Sequence, residues 1–195
     1  MSIKVIGLTG YKQCGKSTLA KAVIEKAAKI GRVGTIYSFA KPLKEVCHIL
    51  FGGNEDHWYG DLKTETFAEW SLTLGEAYSS PRRIMQTFGT EICRNHIAHN
   101  FWLMVAHRYI ADIQKAEGVD FVIIDDVRFD NEAQFIITNY NGMIVRVQRA
   151  DTQNTSDKHV SEHGISSRLI DYTYTCGDMA CLAASANDIV NRGHV

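Results

Sequence analysis

Eight residues near the amino terminus, Gly10-Tyr11-Lys12-Gln13-Cys14-Gly15-Lys16-Ser17, have the types and spacing of a phosphate cradle. Two glycines at this separation let the backbone curl so that its N–H groups point inward at phosphate oxygens. Lys16 suits the outer phosphates of a nucleotide, and the Ser17 hydroxyl suits Mg²⁺. Thr18 continues into a helix whose positive end faces the same charges. Gly10, Lys12, Gln13, Cys14, Gly15, Lys16, Ser17 and Thr18 are therefore the expected ATP-binding residues, with Mg²⁺ arriving on the ATP. A glycine-rich surface turn can match the bare pattern. The apolar run before it and the helix-forming run after it are the context that a phosphate loop requires.

A second group closes the run Phe121-Val122-Ile123-Ile124-Asp125-Asp126-Val127-Arg128. A carboxylate at the end of a buried strand can hold water on Mg²⁺ or orient a nucleophile during phosphoryl transfer. Asp126 and Arg128 are two apart and share a face in an extended segment. Either one serves metal and the other phosphate, or the two form an ordinary ion pair. Lys16, Asp126 and Arg128 are the expected catalytic residues. Ser17 and Asp126 are the expected Mg²⁺ ligands, directly or through water. Asp125, on the opposite face of the same strand, is the alternative carboxylate.

Positive charge gathers at Lys41, Lys44, Arg82, Arg83 and Arg94. A transfer to a second anionic substrate needs such groups, since Arg forks match phosphate oxygens and Lys supplies point charge. Arg83, Gln86 and Thr90 fall on one helical stripe, which sets Gln86 to read a base edge while an arginine holds phosphate. A solvated helix face is the alternative. The expected substrate-binding residues are Lys44, Arg82, Arg83, Gln86, Thr90 and Arg94. A polar stretch from Arg149 to Arg168 is read either as a lid over the transferring group or as an inert loop. Arg149, His159 and Glu162 are its candidate functional residues. His96, His99 and His107 lack an accompanying carboxylate pattern and are read as packed or exposed side chains, not metal ligands. Trp58, Trp70 and Trp102 are read as core rather than base-stacking platforms, with Trp70, which precedes the basic helix, left open.

These residues need a scaffold, and the chain alternates strand and helix. Ile3 to Leu8, Val33 to Ser38, Phe121 to Asp125, Met143 to Val147 and Tyr172 to Thr175 read as strands, the last at an edge. Lys16 to Ile30, Lys41 to Phe51, Pro81 to His96, Phe101 to Ala116, Asn131 to Tyr140 and Asp178 to Val190 read as helices. Gly52 to Gly60 reads as a loop, and Leu62 to Tyr78 is ambiguous. The alternation predicts an α/β fold, a parallel β-sheet flanked by helices on both faces. The expected organisation is one domain, 1–195. Its core is 1–51 with 119–195, its helical substrate region 52–118, and its lid-like segment 149–168.

Composition narrows the function further. A chain of 195 residues buries enough surface to need no staple. A formal net charge of -1 gives no global field for nucleic acid or an anionic membrane. No apolar stretch is long enough to span a bilayer, and no secretory leader is visible. Five cysteines without a C-x-x-C pair predict reduced thiols and a cytoplasmic location. A homodimer is left open.

The segments "GLTGYKQCGKST", "FAKPLKE", "RRIMQTFGTEICR", "IIDDVRFDNEA" and "DKHVSEHGI", in this order, resemble the deoxynucleoside monophosphate kinases of tailed bacteriophages. These belong to the P-loop nucleoside monophosphate kinase superfamily. The resemblance runs from Gly7 to about Gly164, and Gly53 to Tyr78 matches little. It implies a P-loop kinase fold and transfer of phosphate from ATP to a deoxynucleoside monophosphate, in a host cytoplasm if phage-encoded. It puts Asp126 and Arg128 on the family's Asp-x-Arg. It puts Lys44, Arg82, Arg83, Gln86 and Arg94 in its substrate-binding stretches, and His159 and Glu162 in its late H-x-x-E-x-G segment. Phosphomevalonate and dephospho-coenzyme A kinases share "PLKE" and "DVR", or "GLTG", but not "RRIMQTFGTE". A nucleotide-dependent switch or motor is the alternative of another class. No guanine-reading N/T-K-x-D segment supports it.

Overall fold

A computed structural model describes residues 3–116, 118–149, 164–193 and 195. Five strands, β1 (Lys4–Thr9), β2 (Gly34–Tyr37), β3 (Phe121–Ile124), β4 (Met143–Gln148) and β5 (Tyr172–Thr175), form one sheet in the order β2-β3-β1-β4-β5. Every neighbouring pair is parallel. Such pairing requires a crossover between consecutive strands, which helical runs supply from β1 through to β4. β5 lies at the edge, as expected.

β1 is central because it is apolar on both faces. Ile6 and Leu8 join a core with Leu19, Ala20 and Val23 of α1 (Lys16–Ala28) and Leu182, Ala186 and Ile189 of α8 (Met179–Asn191). Gly7 points the other way, and a Cβ there would press on Ile136 of α7 (Asp130–Tyr140) at 2.8 Å. Helices thus cover both faces of the sheet, as the strand–helix alternation predicted. Asn141 ends α7 in the left-handed region, with φ 48.

The chain forms two compact units, Met1–Ser38 with His107–Val195, and Phe39–Ala106. The sheet lies in the first. The second is helical: α2 (Ala40–Phe51), α3 (Glu55–Trp58), α4 (Ala68–Leu74), α5 (Pro81–Gln86), a π-helix (Thr87–Ile97) and the start of α6 (Phe101–Ala116). Its core centres on Cys47, Trp58, Trp70 and Ile84. Trp58 and Trp70 stack with ring centroids 5.5 Å apart. Trp58 donates through Nε1 to the Gly52 carbonyl and Trp102 to the Gly89 carbonyl, each at 2.8 Å. All three tryptophans are buried.

Three expectations need correction. The Gly52–Gly60 stretch is not all loop, since Asn54 caps α3 by accepting from the His57 N–H. The expected Pro81–His96 helix changes type at Thr87. Thr87, Gly89 and Thr90 are weak α-helix formers, and the segment adopts π pairing, closed by Ala98 N–H on the Cys93 carbonyl at 2.9 Å. The thiols are not all reduced. Cys176 and Cys181 form a disulfide across the β5–α8 turn, their Cα atoms 5.4 Å apart. Their separation of five lies outside the C-x-x-C spacing. Cys14, Cys47 and Cys93 are free and buried, and burial, with Cys93 nearby, pushes the Cys47 thiol up to about 12. Among the described residues no helix is long and apolar enough to cross a membrane.

Candidate active site

The loop from β1 to α1 is shaped by backbone that only small or permissive residues accept. Gly10 has φ 144, and a Cβ there would overlap the Val147 carbonyl oxygen. Gly15 has φ 102 and faces Leu182 of α8, whose Cδ1 lies 3.2 Å from the place of a Cβ. Gln13 also takes a positive φ, 62. No side chain caps α1, so its first N–H groups form an anion site with the helix dipole behind them. The ammonium of Lys16 bends over the loop and donates to the carbonyls of Gly10 at 2.8 Å and Tyr11 at 2.7 Å. Cys14 is buried beneath, its Sγ 3.6 Å from Lys16 Nζ. Lys12, Gln13 and Ser17 are exposed and Thr18 is half-buried.

The carboxylate that meets the loop is Asp125. Its Oδ2 accepts from the Ser17 hydroxyl at 3.2 Å, and its Oδ1 accepts a short hydrogen bond from Ser38. The register explains the meeting. β3 pairs with both β1 and β2, with Tyr37 beside Ile124, so the residues just past β2 and β3 lie side by side. The Asp125 N–H donates to the Tyr37 carbonyl at 3.1 Å, which fixes the turn. Sequence reasoning missed Ser38 because a serine at a strand end carries no signal until the strand order is known. Asp126 follows, half-buried, and Arg128 is exposed. Their loop is pinned by Glu132, a buried carboxylate that accepts from the backbone N–H groups of Arg128 at 2.7 Å and Phe129 at 3.2 Å.

The oxygen-rich Ser17–Asp125 pair fits Mg²⁺. That ion takes one or two carboxylates plus phosphate oxygens and water, without a protein cage. No group of three or more His, Cys, Asp or Glu side chains that could hold a metal occurs among the described residues.

The expected substrate-binding residues all lie in the helical unit. Lys44 on α2 places its ammonium over the Tyr59 ring, 4.9 Å from the centroid. Arg82 is half-buried and Arg83 exposed on α5, where Ser80 accepts from the Arg83 N–H at 3.4 Å. Gln86 ends α5, whereas Thr90 and the buried Arg94 belong to the π-helix. The stripe drawn for one continuous α-helix therefore changes pitch at Thr87. Arg149 is exposed just past β4. His159 and Glu162 lie outside the described residues. Beyond them, Ser166 donates from its N–H and hydroxyl to Asp130, at 2.8 and 2.5 Å, and these bonds lower the Asp130 pKa.

The family model for deoxynucleotide monophosphate kinase matches residues 59–176, more than half of the chain. The chain belongs to the deoxynucleotide monophosphate kinase family. It is thereby a nucleoside monophosphate kinase, a phosphotransferase, as the motif series implied. A protein of Acanthamoeba polyphaga mimivirus assigned to the same activity is 30% identical over 167 residues, 81% of this chain and 80% of that protein. A deoxynucleoside-5′-monophosphate kinase of Escherichia phage T5 is 27% identical, covering 85% of this chain and 86% of that enzyme. Among solved structures, TT1252 from Thermus thermophilus superposes with a TM-score of 0.51 at 11% identity, covering 99% of this chain and 98% of that one. That likeness concerns the fold alone. The kinase's matched span holds Arg82 to Arg94, Asp126 and Arg128. Its phosphate loop and Lys44 precede that span.

Proposed function

We propose that this kinase transfers the γ-phosphoryl group of ATP to a deoxynucleoside 5′-monophosphate, giving ADP and the diphosphate, with Mg²⁺ on the nucleotide. The observation that carries the reading is the Ser17 hydroxyl on the Asp125 carboxylate at 3.2 Å, beside an uncapped helix start and Lys16. Mg²⁺, when bound there by Ser17 and, through water, Asp125, would offset charge on the phosphates. Phosphoryl transfer asks a protein mainly for position and charge. The loop N–H groups hold the ATP phosphates, and Lys16 exchanges a carbonyl partner for phosphate oxygen. Asp126 and Arg128 serve the transferring group from the turn after β3. Lys44, Arg82, Arg83 and Arg94 hold the acceptor phosphate, with Gln86 and Thr90 toward its nucleoside. Arg149, His159 and Glu162 are proposed to belong to a lid that excludes water.

The test is a coupled ADP-release assay with all common ribo- and deoxynucleoside monophosphates as acceptors. ADP release stimulated by deoxynucleoside monophosphates is expected. Hydrolysis that no monophosphate stimulates would overturn the reading in favour of a switch or motor ATPase.

A further inference from the structure

The helical unit holds a cavity of about 220 Å³ that the assignments above do not use. Its walls are Phe51, Leu74, Tyr78, Ile84, Phe88 and Ile92, and Thr87 completes them. An apolar cavity of roughly 150 Å³ already accommodates a benzene ring, so this one has room for an aromatic ring system. Thr87 is the exception in the lining. The residue is 91% buried, and its hydroxyl has no hydrogen-bond partner among the described residues. A buried hydroxyl without a partner is unfavourable, and valine of the same shape would avoid the cost. Threonine keeps two χ1 wells in a helix, and no bond ties this hydroxyl to either. It can therefore turn to a ligand and serve as donor or acceptor.

The helix that lines the cavity also carries cations. Arg82 and Arg83 precede Ile84, and Arg94 follows Ile92. A flat ring for the cavity and an anion for the arginines together describe a nucleotide. The geometry points to this cavity as the seat of the acceptor's base, with the Thr87 hydroxyl on the base edge and Phe51, Tyr78 and Phe88 against the ring faces. This inference rests on the proposed acceptor. It moves base reading from Gln86 to Thr87, and leaves Trp70 in the core and outside the cavity lining.

The experiment is titration calorimetry of the full chain, without ATP, using dGMP, dTMP and the base-free deoxyribose 5-phosphate. Thr87→Val removes only the hydroxyl. Ile92→Trp fills the cavity from an edge that is 41% exposed and tolerates bulk. Both variants should weaken the nucleotides about tenfold or more and leave deoxyribose 5-phosphate unchanged, with Thr87→Ser restoring dGMP and dTMP binding. Thr87→Val should melt no lower than wild type. If the variants weaken all three probes alike, or none, the cavity is a packing void and the inference falls while the kinase reading stands. If the wild-type chain neither binds nor phosphorylates any deoxynucleoside monophosphate, both fall.

Discussion

At the scale of single residues, the phosphate loop and the carboxylate opposite it make separable predictions. Lys16→Ala should cut kcat on the order of a hundredfold or more with the fold intact, the usual consequence of losing one preorganised donor to developing charge. A folded variant within a few-fold of wild type would remove Lys16 from catalysis. The two aspartates after β3 can be ranked. Asp125 is the one whose oxygens meet Ser17 and Ser38. Asp125→Asn should therefore raise the Mg²⁺ concentration needed for half-maximal rate and depress kcat more than Asp126→Asn does. Steady-state rates across a Mg²⁺ titration decide it, and the opposite ranking would return the metal role to Asp126. Gly10 shows how sterics dictate type, because any side chain would collide with the Val147 carbonyl.

At the scale of elements, the segment that leads into β5 and the helix that opens at Pro81 matter most. Residues 164–169 are tied to α7 through the Asp130–Ser166 bonds. Those bonds hold the Asp130 carboxyl below its usual 3.8. A carboxylate depressed in this way contributes stability that is fully present above its unfolded pKa and is lost as pH falls through the native one. Thermal melts of wild type and Asp130→Asn should differ near neutral pH and converge as the pH drops below the ordinary aspartate range. A constant difference would mean that the charge is not the source. On α5, Arg83→Ala should raise the monophosphate KM about tenfold and leave the ATP KM nearly unchanged, the loss expected for a charge-assisted bond to phosphate. A change confined to ATP affinity would place the acceptor phosphate elsewhere.

At the scale of the molecule, chemistry is divided between a sheet unit that carries the phosphate loop and a helical unit that carries the proposed acceptor residues. We expect deoxyribonucleotides to be preferred. An apolar wall against C2′ leaves a ribose hydroxyl without a partner, a cost of about 1–3 kcal/mol, or roughly ten- to a hundredfold. Tyr78 and Phe88 line the cavity and can supply such a wall, whereas Trp70 is packed with Trp58. Ratios of kcat/KM for dGMP over GMP, and for dTMP over UMP, measure this directly. Ratios near one would leave the sugar unread.

Much of this was legible in order along the chain. The phosphate loop, the five strands and most of the helices are local signals, because glycine spacing, apolar runs and helix-forming stretches act within a few residues. The motif series carried the family for the same reason. What the chain order could not supply were meetings at a distance. Ser17 and Asp125 are 108 positions apart and meet through the β1–β3 register. Ser38 becomes a partner of Asp125 only because β2 pairs with β3. Cys176 and Cys181 needed a turn to face each other. The cavity exists only where residues from α2, α4, the turn before α5, α5 itself and the π-helix leave space unfilled. Local propensity decides which elements form. Which side chains then share one carboxylate or one cavity follows from strand order and packing, and tertiary structure alone decides those.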